Sequence, residues 1–417
     1  MNILFLNAYF NPESIAFTHL EHDILDELVK RGHRINVICP IPTRGISQEV
    51  AKQYSNIKDE TMYNGAVQVK RFWAPQERKN PLTRAFRYLW CNFREFQIAK
   101  KMTDTDVIFA NSTPPTQGML CGLVKKKLSR KEGRNIPFVF SLQDIFPDSL
   151  VNAKMTRHDS IIWHIGRRIE NYTYKNADKI ITISKSFKEN IVQKGVEKAK
   201  IEVISNWVNT DNVFPVERQN NTLFDKYNLD REKFYIVYSG NIGHSQNMDL
   251  LLQVAKELRV TEPDLRFIIL GDGAAKKDIE EKVASEKINN VVILPYQDYE
   301  DIALVFSLGD VGLIISKRGI GGSSVPSKTW SIMAAERPIL ASFDKNSELF
   351  NLINESRCGI AVEADDKKAL MKAIVEIMHS NDRRQMGKNG RLYLYDNCDK
   401  QKQVNKYEEC ISGKRSF

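Results

Sequence analysis

Between Gly319 and Leu340 the chain reads GIGGSSVPSKTWSIMAAERPIL. Three glycines and two serines lead through Pro326 to Lys328 and a helix-like segment, with Lys317 and Arg318 just before them. These residue types at this spacing form a device for holding an anion. The first turn of a helix presents N–H groups that have no partner inside the helix, and the dipole adds partial positive charge there. Gly321, Gly322, Ser323 and Ser324 are candidate donors, and Lys328 is the candidate cation. Pro326 suits a first turn, where its missing N–H would have had no helical partner. Read alone, the stretch is also compatible with a flexible strand–helix connection and an exposed helix lysine.

The elements around it give the loop a position. NILFLN (2–7), RINVIC (34–39), AVQVKRFW (66–73), DVIFAN (106–111), FVFSLQ (138–143) and KIITIS (179–184) predict strands. Helical segments fall between them, at 17–31 and 82–102 among others. Short apolar runs separated by helices indicate parallel strands buried on both faces. The pattern breaks over 206–233, which reads as a linker. It restarts at FYIVYSG (234–240) and continues through LRFIILGDG (265–273), NVVILPY (290–296), DVGLIIS (310–316) and PILAS (338–342). The expected architecture is α/β with two doubly wound, Rossmann-like domains facing a cleft. The expected boundaries are 1–205, a linker at 206–233, 234–385, and a helical tail at 386–417 that returns to the N-terminal domain.

Ligands of such sheets sit beyond the carboxyl ends of the strands. Three loops of the second domain share that rim: the opening loop, NIGHSQN (241–247) after Gly240, and the GDG turn with Gly271 and Gly273. Their convergence favours an anion site. In the first domain Asp144 follows a strand and is placed to orient a substrate. Asp148 is the runner-up, and either carboxylate could equally cap the next helix. Glu13 and Ser14, after the first strand, reach the same rim.

Composition narrows the classes. The chain has 417 residues and a net charge of +9, with 32 Lys+Arg against 21 Asp+Glu in 1–205 and 29 against 31 in the rest. A basic first half fits an anionic substrate, membrane surface or nucleic acid. No RRM, KH or zinc-finger spacing occurs, which argues against nucleic acid. Six scattered cysteines without a C-x-x-C pair indicate a reducing, cytoplasmic setting. No cofactor is called for, since no G-x-G-x-x-G follows the first strand. DTD (104–106) precedes a strand, at the edge away from the expected site, and no other cluster calls for a metal.

RGHRINVIC, YSGNIGHSQNMDLLLQVAKEL, ILGDG and PSKTWSIMAAERPILAS together resemble the GT-B glycosyltransferases of the large retaining GT4 type. SLQDIFPDS and SGNIGHSQNMDLLL look most similar to the fucosamine and colanic-acid type transferases of bacterial surface polysaccharides. The resemblance implies a retaining, metal-independent transfer from a nucleotide diphosphate sugar, UDP-linked, to a lipid-diphosphate-linked saccharide. It implies that Asn241 and Tyr296 lie against the nucleotide. The departures are specific: Ser323 and Ser331 stand where the family often has two glutamates. Asn241 and Gln246 replace its arginine and lysine, and Glu336 replaces a glycine. Positive charge for the diphosphate then falls mainly to Lys328, with Lys317 or Arg318 second. A nucleotide-sugar epimerase of the same architecture and a catalytically silent sugar-nucleotide binder are the alternatives.

PLTRAFRYLWCNFREFQIAKK (81–101) places Leu82, Phe86, Leu89, Phe93 and Phe96 on one helical stripe, with Arg84, Arg87, Arg94 and Lys101 on another side. The stripe either packs on its own sheet or enters lipid at the inner face of the cell membrane.

Overall fold

The computed structural model describes all residues except 14–16, 78–79, 153–154, 320–324 and 414–417. The chain forms two compact units, Met1–Ser205 with Gln401–Phe417, and Asn206–Lys400. The first contains β1 (Asn2–Leu6), β2 (Arg34–Pro40), β3 (Asp59–Met62), β4 (Val67–Phe72), β5 (Val107–Asn111), β6 (Phe138–Leu142), β7 (Lys179–Thr182) and β8 (Ile201–Val203). Their spatial order is β3-β4-β2-β1-β5-β6-β7-β8. Every pairing is parallel except β3 with β4. The second unit contains β9 (Phe234–Ser239), β10 (Leu265–Leu270), β11 (Val291–Leu294), β12 (Val311–Ile315), β13 (Ile339–Phe343) and β14 (Gly359–Glu363). They form one parallel sheet in the order β11-β10-β9-β12-β13-β14. Both units are Rossmann-like α/β domains.

The apolar runs explain the sheets. Residues 3–6, 107–110 and 311–315 are buried along their whole length, because helices cover both faces and neither alternate side chain meets water. Fully burying each such side chain contributes about 1.5–3 kcal/mol. Helix starts are set by capping. Asn247 Oδ1 accepts from Leu250 N–H (3.2 Å) and Ser347 Oγ from Phe350 N–H (3.2 Å). Each cap is worth about 1 kcal/mol.

Strand order reverses twice. In the first sheet the chain runs from β1 one way to β2 and β4, then the other way to β5. In the second it runs from β9 to β10, then crosses to β12. The loops after β1 and β5, and those after β9 and β12, therefore diverge at topological switch points, where open α/β sheets leave a crevice.

Three regions differ from the sequence reading. β3, β8 and β14 were not foreseen. Residues 206–233, expected as a linker, fold into the second unit, where Val213, Leu223 and Phe224 are buried in its cores. The expected tail divides at residue 400. The Arg383–Asn397 helix packs on the Lys328–Ala334 helix, with Gly390 against Met333, while the Lys400–Ser412 helix belongs to the first unit.

The Pro81–Ala99 helix is the sharpest departure. Its apolar stripe faces outward: Leu82 is 80% exposed and Phe86, Leu89 and Phe93 are all more than half exposed. The face turned to the sheet carries Arg87, Cys91, Glu95 and Ala99 instead. Glu95 accepts a hydrogen bond from Gln117 Nε2 (2.6 Å), and burial raises its pKa to about 8. The carboxyl is thus neutral at pH 7, which is how an acid tolerates that face. Packing of the stripe on its own sheet is overturned; only Phe96 joins the core.

Candidate functional site

The second unit brings its candidates together at the switch point. β9 ends at Ser239 and turns at Gly240, whose φ of +139° excludes most side chains. The Gly240 N–H donates to Leu270 O (2.9 Å). Gly271 lies so close that an added Cβ would stand 1.9 Å from Gly240 O, and one on Gly273 would stand 2.3 Å from Ile242 O. Ile242 N–H donates to Asp272 O (2.8 Å), and Ala275 N–H to Ile242 O (3.0 Å). The loops after β9 and β10 are therefore stitched backbone to backbone, which only glycine permits.

Lys328 stands over this seam. Its Nζ lies 3.6 Å from the centre of the Tyr238 ring and fills the space an added Gly240 Cβ would need, 2.8 Å away. The helix it opens, Lys328–Ala334, anchors in the core through Trp330, Ile332 and Met333. With seven residues its dipole is short, so positive charge at this end rests on the ammonium. Among the described residues no carboxylate or hydrogen-bond acceptor meets Nζ, and burial lowers its pKa to about 7. Stacking on a π-face compensates only part of the lost hydration. In the same unit, the hydroxyls of Ser316 just after β12, Thr329 on the helix and Ser342 on β13 are also buried without partners among the described residues. A desolvated cation without an acceptor is an arrangement that a bound anion would complete.

Lys317 is exposed, and its N–H donates to Ser245 O (2.9 Å). Arg318 is directed to β14, where its guanidinium meets Ala364 O and Glu363 (3.7 Å) and its N–H meets Asp365 (3.2 Å). Its charge is thus already compensated, and it does not join Lys328. Ser331 is half-buried on the same helix, and Asn241 accepts through its carbonyl from Tyr238 Oη (2.6 Å). Tyr296 is 74% exposed just after β11. Gly321, Gly322, Ser323 and Ser324 lie outside the described residues, as does Ser14. Tyr238 was missed by sequence reasoning; an aromatic residue two places before a strand-ending glycine was the available signal.

The first unit presents Asp144 just after β6, exposed, with the N–H groups of Gln143 and Asp144 both donating to Ser112 Oγ (2.9 and 3.2 Å). This ties the loops after β5 and β6. Asp148 is held by Arg167 (2.8 Å) and Lys194 (2.7 Å), a structural ion cluster shared with Glu170. Glu13 is buried, its carboxylate accepting from Phe10, Thr43 and Arg44 N–H groups (3.3, 2.7 and 2.9 Å). Its oxygens are occupied in pinning two loops, so it positions rather than binds. Asp106 of DTD accepts from Asn2 N–H (2.8 Å) at the strand starts, away from these loops. Among the described residues no group of three or more His, Cys, Asp or Glu side chains is disposed to hold a metal.

Residues 21–212 match the family model described as Glycosyltransferase Family 4, and residues 219–393 that described as Glycosyl transferases group 1. The chain is 26% identical over 350 residues to the probable glycosyltransferase WbjE of Pseudomonas aeruginosa, covering 83% of this chain and 84% of that protein. It is 24% identical over 383 residues to the putative colanic acid biosynthesis glycosyl transferase WcaI of Escherichia coli K12, covering 90% and 91%. Among solved structures, Anabaena Alr3699/HepE in complex with UDP superposes with a TM-score of 0.71 at 16% identity, covering 99% of this chain and 100% of that one.

Proposed function

Since this chain belongs to the GT-B glycosyltransferases with a Family 4 half and a group 1 half, related to bacterial polysaccharide biosynthesis enzymes, we propose the finer reaction. It moves a sugar from a nucleotide diphosphate sugar, UDP-linked, to a hydroxyl of a lipid-diphosphate-linked saccharide in surface polysaccharide synthesis. The anomeric configuration is retained and no metal is required. The observation that carries this reading is Lys328, a partly desolvated ammonium with no anionic partner among the described residues, set on Tyr238 beside the Gly240–Gly271 seam. The UDP complex of the HepE structure supports a nucleotide as the missing anion.

The hard step is departure of the diphosphate. Charge grows on the bridging oxygen as the sugar becomes oxocarbenium-like, and Lys328 is aimed at that charge. The Gly321–Ser324 segment supplies further donors. The leaving phosphate takes the proton of the acceptor hydroxyl, so no separate base is demanded. Asp144 of the first unit orients the acceptor. Lys317 approaches the diphosphate from solvent, and Ser331 takes one hydrogen bond to the ribose in place of a bidentate glutamate. Asn241 and Tyr296 flank the nucleotide.

The test is a panel of nucleotide sugars with and without lipid-diphosphate acceptors. Acceptor-dependent nucleotide release supports the reading. Acceptor-independent isomerisation would mark an epimerase, and binding without turnover a silent binder.

The acceptor's lipid gives the outward stripe of the Pro81–Ala99 helix a partner. Leu82, Phe86, Leu89 and Phe93 are joined by Trp73, exposed and edge-on to Trp90 (5.9 Å), in a basic first unit. Aromatic and aliphatic side chains of this kind enter the headgroup boundary, and each nearby basic residue adds about 1 kcal/mol on an anionic leaflet. Among the described residues no helix is long and apolar enough to cross a bilayer, so contact would be peripheral, at the inner face of the cell membrane. The protein is expected to sediment with phosphatidylglycerol vesicles, less at high salt. The Phe86→Asp/Phe93→Asp variant should stay in the supernatant while turning over a water-soluble acceptor normally. Equal sedimentation with neutral and anionic vesicles would refute the anionic preference.

A further inference from the structure

The second unit carries a recess of about 660 Å³ at the edge of its sheet opposite the Lys328 site. It is walled by the turns that precede β12 (Ser307, Gly309, Asp310) and β13 (Glu336–Pro338) and by the start of the Arg383–Asn397 helix. A five-residue strand separates the two edges by roughly 17 Å, so this is a different place from the proposed nucleotide site.

Its charges do not cancel. Arg218 is neutralised by Asp310 (2.5 Å), whose carboxylate also accepts from Tyr235 N–H. Among the described residues Arg337 has no ion-pair partner; its Nη2 donates to the carbonyls of Val216 and Ser307 (3.0 and 3.3 Å), and its Nε is buried without one. Among the described residues Arg383 likewise meets carbonyls and the face of Phe234. Arg384 and Lys388, one helical turn apart on the recess wall, have no partner among the described residues. Against these four stand Glu217 and Glu336, which attract Arg337 electrostatically but make no ion pair or hydrogen bond through their side chains among the described residues, so the recess holds a surplus of two positive charges. The 15-residue helix also opens here without a side-chain cap, leaving first-turn N–H groups at the wall.

We propose that this recess binds a phosphorylated sugar, its phosphate on Arg384, Lys388 and Arg337 and its hydroxyls on Glu217 and Glu336. Arginine forks and an uncapped helix start suit phosphate. Two unpaired carboxylates in the same recess suit hydroxyls rather than a bare second anion. The volume falls within the range of small-ligand sites.

The full-length protein is titrated calorimetrically with glucose 6-phosphate, inorganic phosphate and glucose at constant ionic strength. Saturable binding of glucose 6-phosphate is expected, at least threefold tighter than phosphate, with none for glucose. Arg384→Ala/Lys388→Ala, both at solvent-facing positions, should weaken it at least tenfold while leaving UDP binding unchanged. Lys328→Ala should do the reverse. Non-saturable binding, indifference to the double variant, or loss in Lys328→Ala would overturn the proposal. Equal affinity for phosphate and glucose 6-phosphate would overturn the sugar assignment.

Discussion

Lys328→Met is expected to lower turnover by about 10²–10³-fold and yet to stabilise the ligand-free protein. Both effects come from one cause. The ammonium is partly desolvated on Tyr238 with no anion among the described residues, so its pKa falls to about 7. Below that pH the folded protein holds a poorly hydrated charge. Between pH 7 and the ordinary lysine value the unfolded chain binds the extra proton, and stability therefore rises with pH across that window. Methionine keeps the packing and removes the charge, so thermal unfolding should move up by the equivalent of about 1–2 kcal/mol, with the pH dependence flattened. The same shift governs binding. A nucleotide sugar carries a diphosphate that does not titrate near neutrality, and it needs the charged lysine. Its affinity should fall with rising pH above about 7, by up to about tenfold per unit, and this slope should vanish in Lys328→Met. A variant with normal turnover, or a wild-type affinity that is flat from pH 7 to 9, would show that Lys328 does not face the diphosphate.

Gly271→Ala should be the most damaging single methyl group in the second unit. Gly271 has a φ of +146°, and the added carbon would sit 1.9 Å from the Gly240 carbonyl oxygen. Backbone cannot yield as a flexible side chain does, so the loops after β9 and β10 must part. That breaks the Gly240–Leu270 hydrogen bond and moves Gly240 from beneath Lys328. We expect a loss of about 3–4 kcal/mol in stability and no detectable nucleotide binding, read by thermal unfolding and calorimetry. Gly319→Ala is the control. Its φ is also positive (+86°), but the new carbon meets no described residue within 4 Å, so it should cost only about 1–2 kcal/mol of backbone strain. Similar losses in both variants would mean that the seam is dispensable.

Much of this was legible in the chain because parallel strands buried on both faces appear as uninterrupted apolar runs, and the loops after them can be placed on one rim without coordinates. Lys328 was found that way. β14 was not, because GIAVE is only half-buried along its length and its residues do not form a long apolar run. The state of Lys328 was not legible either. It depends on Tyr238, ninety residues earlier, and on β9 pairing with β12. The Pro81–Ala99 helix shows a different limit. Periodicity identifies two faces but not which one turns inward, and here Arg87 and Glu95 go in while Phe86 and Leu89 stay out. Arg318 shows a third, since only the position of β14 reveals that Glu363 and Asp365 claim its group and its backbone.

The Lys400–Ser412 helix closes the first unit from the far end of the chain. Tyr407 is fully buried, its hydroxyl 3.0 Å from Ser141 Oγ on β6, and Glu408 reaches Arg31 (2.6 Å) and His33 (3.0 Å). The first unit therefore needs a helix made some two hundred residues after its last strand to cover Ser141. A fragment ending near residue 205 would leave Ser141, Arg31 and His33 without these partners.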